Sequence, residues 1–189
     1  MNKLIAFVVI VLFASLLGGV YGVVHDQLTY TVSHEYYTKF KFHQFALVND
    51  GAHDIPPNAR VLVSIVGFLA TWWMGTFIGI ILGAIALIFP TWQEMARVAI
   101  KAFSLTMVVA FVTGIVGLAY GYFVLGTQSP SAFEHWYLPN NLDDFRSFIA
   151  VGSMHNFSYL GGVLGLMVAK ISIFIYYQRK RQLLKQQVR

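Results

Sequence analysis

Apolar residues run almost unbroken through four stretches, residues 4–24, 61–89, 102–125 and 145–177, and the polar residues gather between and after them. A bilayer core about 30 Å thick takes about 20 residues of helix, so each stretch predicts a membrane-crossing helix. Pro90 closes the second stretch, because proline lacks the N–H that the next helical turn needs. The remainder divides into a segment 26–60, a segment 126–144 and a basic tail 178–189. The pattern predicts one all-α membrane domain over residues 1–189, a four-helix bundle.

Met-Asn-Lys ahead of the first apolar run also fits a signal peptide. The run exceeds the usual 7–15-residue apolar region and no Ala-x-Ala site follows, so an uncleaved helix is expected.

Small residues recur four apart within the spans: Ala14, Gly18 and Gly22; Gly67, Thr71, Gly75, Gly79 and Gly83; Ala110 with Gly114 and Gly117 with Gly121; Gly161, Gly165 and Ala169. Residues four apart share a helix face, and small side chains there let backbones approach in lipid. The long stripe of the second span is expected to serve a contact inside the bundle rather than between two copies. Tyr21, Trp92, Trp136, Tyr176 and Tyr177 suit interfacial belts. Trp72 and Trp73 lie deeper and are expected to pack inside.

In segment 26–60 the threonines, tyrosines and phenylalanines favour extended structure. Thr38, Phe40 and Phe42 would share one strand face and Lys39 and Lys41 the other, giving a partly extended cap over the bundle mouth. Segment 126–144, with Pro130 and Pro139, reads as loop. Asn140 or Asn141 is expected to cap the fourth helix, with Asp143 and Asp144 in its first turn.

Composition fits a membrane class: 57% of residues are hydrophobic and 11% charged, against about 25% charged in soluble domains. The absence of cysteine excludes disulfides, thiolate metal sites and cysteine nucleophiles. A net charge of +5 raises the question of nucleic acid, but the cations sit at membrane borders. Lys3, Arg97, Lys101 and the tail Arg179, Lys180, Arg181, Lys185 and Arg189 fall on one side; Lys39, Lys41, Arg60 and Arg146 fall on the other. The positive-inside rule makes the first side cytoplasmic, so both ends of the chain face inward and segments 26–60 and 126–144 face outward. The tail is expected to continue the fourth helix and rest on anionic lipid headgroups. A homo-oligomer or a partner membrane protein remains open.

All six histidines, His25, His34, His43, His53, His135 and His155, fall in the outward half. His25 ends the first span. His155 lies one to two turns inside the fourth, beside Asn156, Ser158 and Tyr159. Polar groups at that depth must find partners within the protein. His25, Asp26, Glu35 and His155 are the candidate ligands, with Gln27, Asn156, Ser158 and Tyr159 in support, because imidazole and carboxylate suit zinc, copper or iron. Adjacent residues such as His25 and Asp26 do not share a helix face, so pairing in sequence does not make a joint site. No spaced ligand motif is present, and a haem between His25 and His155 is not expected. A hydrogen-bonded structural cap, a metal or small-ligand site, and a pore or proton path all stay open; for a pore, the nearly apolar inner halves of the spans offer no continuous polar route.

The run from Tyr21 through His25-Asp26-Gln27-Leu28-Thr29 to Glu35-Tyr36-Tyr37-Thr38-Lys39-Phe40-Lys41-Phe42 resembles a family of small bacterial membrane proteins. That family carries His-Asp-Gln-x-Thr followed by Glu-Tyr-Phe-Thr-Lys-Phe-Lys-Phe. Its later Ala-Thr-Trp-Trp aligns with Ala70 to Trp73, and a histidine followed by Ser-Tyr aligns with His155, Ser158 and Tyr159. His34 departs from the pattern, which has proline there, and this favours His25, Asp26, Gln27 and Glu35 over His34. The resemblance implies a bacterial inner-membrane setting and brings no activity with it.

Overall fold

A computed structural model describes residues 2–49 and 55–187. His53 and Arg189 of the tail, both named above, lie outside these. Four helices carry the fold: α1 (Lys3–Val32), α2 (Ala59–Ala86), α3 (Trp92–Phe123) and α4 (Phe145–Gln187). Each is long and apolar enough to cross a membrane. Leu12, Leu16, Val20 and Val24 of α1, Val108, Val112 and Val116 of α3, and Val163, Met167 and Ile171 of α4 stay exposed. Side chains of this kind at helical spacing suit lipid, whereas water would leave a large apolar patch uncovered.

The helices pair into two antiparallel hairpins, α1 with α2 and α3 with α4. Glycine makes the first pair close. A Cβ built on Gly22 would stand 2.0 Å from the Gly67 carbonyl oxygen, and one on Gly75 would stand 2.4 Å from that of Ala14. Thr71 of the same stripe donates its hydroxyl hydrogen toward the carbonyls of Gly18 and Gly67. The stripe of α2 is therefore an internal contact, as its spacing predicts. In the second pair Gly121 meets the backbone of Ala150, and Gly165 meets that of Thr106. The two hairpins touch each other far less than their own members do.

Two apolar cores lie at opposite ends. Ala6, Ile10, Leu82, Phe89, Met95, Phe103 and Ile173 form one. Tyr36, Tyr37, Phe42, Val63, Phe148, Ile149 and Val151 form the other. At the first end Lys180 pairs with Glu94 at 2.5 Å, and Lys3 donates to the carbonyl of Leu87 at 2.7 Å.

Four local expectations change. The first helix does not stop near residue 24 but runs to Val32, and among the described residues segment 26–60 contains no strand. After α1 the chain makes a π-helical turn, Tyr37–Lys41, followed by Phe42–Gln44. The β-favouring side chains go helical because Thr29, Tyr36, Tyr37 and Phe42 are buried against the bundle end, and packing outweighs a strand preference worth at most about 1 kcal/mol. The fourth helix is capped by Asp144, whose Oδ1 accepts from the Ser147 amide at 3.0 Å, and not by Asn140 or Asn141. Trp72 and Trp73 are exposed on the lipid-facing side of α2, because the glycine stripe, and not the tryptophans, takes the inner face. Segment 126–144 holds two short 3-10 turns, Leu125–Thr127 and Pro130–Phe133.

Candidate metal centre

His25 and Asp26 reach the bundle interior from the last turns of α1, and His155 and Ser158 face them from α4. All four are buried. His25 Nδ1 stands 3.1 Å from Asp26 Oδ1, and its Nε2 stands 3.1 Å from Ser158 Oγ. His155 Nε2 stands 3.4 Å from the same Asp26 oxygen. One donor atom from each of His25, Asp26 and His155 falls within 4.8 Å of the others. Although neighbours do not share a helix face, the short aspartate side chain folds back to the imidazole beside it.

The hydrogens can be assigned from chemistry. A carbonyl only accepts, so His155 Nδ1, 2.9 Å from the Val151 carbonyl, carries a hydrogen. In the neutral ring Nε2 then presents a lone pair. That atom is buried and has no hydrogen-bond partner, and it faces a carboxylate oxygen, another acceptor. Two acceptors facing each other at 3.4 Å repel, and a cation between them would relieve that repulsion. Two ligands about 2.1 Å from a tetrahedral metal stand about 3.4 Å apart, so the spacing suits a shared ion.

The surroundings hold these groups still. Tyr36 stacks on the His155 ring at 5.0 Å between centroids, and the His25 and His155 rings meet edge to face at 4.8 Å. Rings that close leave no space for a porphyrin between them, which removes the axial haem pair. Tyr37 shares a 2.6 Å hydrogen bond with Thr29, fixing the turn that covers the cluster. Beneath it a cavity of about 80 Å³ runs between the hairpins, with Tyr21, Met74, Phe103, Met107 and Gly162 in its walls and Lys41 and Tyr159 beside the cluster.

No family model, no curated protein and no solved structure matches the chain.

The other candidates have different positions. Glu35 is buried but does not join the cluster. Its carboxylate accepts from the amides of Asp143 at 3.0 Å and Asp144 at 2.7 Å and pairs with Lys39. Burial works to raise its pKa, but the Asp143 amide, Lys39 and the Asp144 amide together hold it below the ordinary value. Glu35 thus fastens the start of α4. Burial lowers the pKa of Lys41, whose ammonium lies 5.1 Å from the Phe40 ring centroid. Gln27 donates to the Arg60 carbonyl at 2.7 Å and to Ser64 at 2.9 Å, locking α1 to α2. Ser158 belongs to the site through His25. Tyr159 is half-exposed at its border and Asn156 is exposed away from it. The sequence reading placed Tyr21 in an interfacial belt, yet its hydroxyl is buried in the bundle. Its position four residues before His25, on one helix face, was the available clue.

Proposed function

We propose that this is a small bacterial inner-membrane protein that binds a transition-metal ion through His25, Asp26 and His155. The observation carrying the reading is the buried Nε2 of His155, which faces Asp26 Oδ1 at 3.4 Å without forming a well-aligned hydrogen bond. A donor set of two imidazoles and one carboxylate suits zinc, copper or iron. The three side chains line the cavity, so an ion held by them would be open to it, as in an exchangeable rather than a closed structural site. The groups hydrogen-bonded behind the two imidazoles support the same reading. Val151 fixes the tautomer of His155 in the way outer-sphere carbonyls orient ligating histidines. Ser158 accepts from His25 Nε2–H once Nδ1 gives up its hydrogen to ligate.

The cation distribution supports the orientation. Lys3, Glu94 and Lys180 mark the cytoplasmic end, with the basic tail on anionic headgroups, and the His25–His155 end faces outward. The resemblance to a bacterial membrane family supports the setting.

The test is elemental mass spectrometry of protein purified in mild detergent without chelator or histidine tag, beside His25→Ala and His155→Ala. Near-stoichiometric metal in the wild type that disappears in both variants supports the reading. A wild type that stays empty after zinc, copper and iron are each added overturns it. The cluster is then a polar contact that holds the fold.

A further inference from the structure

Most glycines of the spans sit where a side chain would collide with a neighbouring helix. Gly162 does not. It is buried in α4 and lines the cavity, yet a Cβ built on it meets nothing within 4 Å. Close approach of backbones therefore does not explain the missing side chain there, and its effect is to leave the cavity open. A second feature points into the same space. The hydroxyl of Tyr21 is buried without a well-formed hydrogen bond, Ser158 being the polar side chain beside it, although buried hydroxyls normally find a full partner. Both features flank the cluster of His25, Asp26, His155 and Ser158, while Met74, Ile78, Phe103 and Met107 make the rest of the wall apolar. The volume, about 80 Å³, is several times the roughly 10–15 Å³ that a single water needs on the same measure. It lies between hairpins whose outer faces are lipid-facing, so an occupant arrives sideways from the bilayer.

We infer that this cavity is a binding site for a membrane-dissolved amphiphile with a carbonyl head, of the quinone class. Its head accepts a hydrogen bond from Tyr21 beside the histidine cluster, and its tail passes between α2 and α4 along Met74 and Gly162. A carbonyl fits because the idle group in the wall is a hydroxyl donor. An apolar tail fits because the wall below the cluster offers thioether, aliphatic and aromatic surface. The site does not require that a metal be bound.

The test is equilibrium binding of decylubiquinone to the purified full chain, counted by native mass spectrometry, with metal content measured on the same samples. The expected result is saturable binding of one molecule. Gly162→Leu, whose side chain fills the cavity without meeting a neighbour at its Cβ, is expected to reduce affinity at least tenfold while melting like the wild type. Tyr21→Phe is expected to reduce affinity about three- to tenfold, the loss of one hydrogen bond. Decylbenzene, with the tail and no carbonyl, is expected to bind at least tenfold more weakly. Non-saturable uptake, saturable binding that Gly162→Leu leaves unchanged, or equal affinity for decylbenzene would each overturn the inference. Saturable binding without metal would leave it standing and remove the metal reading alone. Metal without saturable binding would do the opposite.

Discussion

Asp26 of the first helix and His155 of the fourth face each other at 3.4 Å through two acceptor atoms. α1 and α4 otherwise make few contacts. The contact between these two atoms therefore joins one hairpin to the other, and several outcomes depend on it.

Asp26→Asn keeps the shape and removes the charge. Metal content is expected to fall more than tenfold, and zinc, which raises the melting temperature of the wild type by binding the folded state, is expected to leave this variant unmoved. Thermal melting in detergent with and without zinc checks this. An equal zinc-induced rise in both proteins would place the ion elsewhere.

Ser158→Ala removes the hydroxyl that serves His25 Nε2 without touching a ligand atom. Loss of an outer-sphere partner typically lowers metal affinity 10- to 100-fold. Competition against a chelator of known affinity measures the change, and an unaltered affinity would show that Ser158 does not orient the ring.

The Glu35 carboxyl has a depressed pKa in the folded protein, so it binds its proton less readily there than in the unfolded chain. Its contribution is present above the unfolded value and is lost as pH falls through the folded one. Melting temperature is thus expected to drop in acid below the ordinary glutamate value of 4.5, and Glu35→Gln is expected to flatten that drop. At neutral pH the variant should lose about 1.5–3 kcal/mol, the range for hydrogen bonds to a charged group. A pH series of melting curves reads both effects.

Gly22→Ala places a methyl 2.0 Å from the Gly67 carbonyl oxygen, with backbone on both sides of the contact. The pair of helices must separate, and loss of folded protein in detergent is expected by size-exclusion chromatography. Gly162→Ala is the matched control, expected to behave as wild type.

Lys180→Ala breaks the ion pair with Glu94, whose lysine is about one-third exposed. Exposed pairs of this kind contribute roughly 0–1 kcal/mol, so a small, salt-sensitive fall in melting temperature is expected. A loss of several kcal/mol would make this end of the bundle more than a trim.

The four helices were legible because a bilayer imposes length and apolarity at once, and Pro90 and the glycine stripes marked ends and faces. The end of α1 was not. Thr29 to Phe42 carry strand-favouring side chains, and only their burial against α4 shows why they turn helically. Three of the four candidate ligands come together, while Glu35 goes to the amides of Asp143 and Asp144, distant partners that residue spacing does not announce. Gly162 was hidden for a related reason, since one glycine in a glycine-rich membrane helix looks like any other until its surroundings are known.

Because each hairpin is locked by its own glycines and the cluster spans both, neither half holds the site alone. Residues 2–90 and 91–189 made as separate polypeptides should each insert, and metal uptake should appear only when the two are brought together. The site is in this sense a record of assembly, present only where the two halves meet.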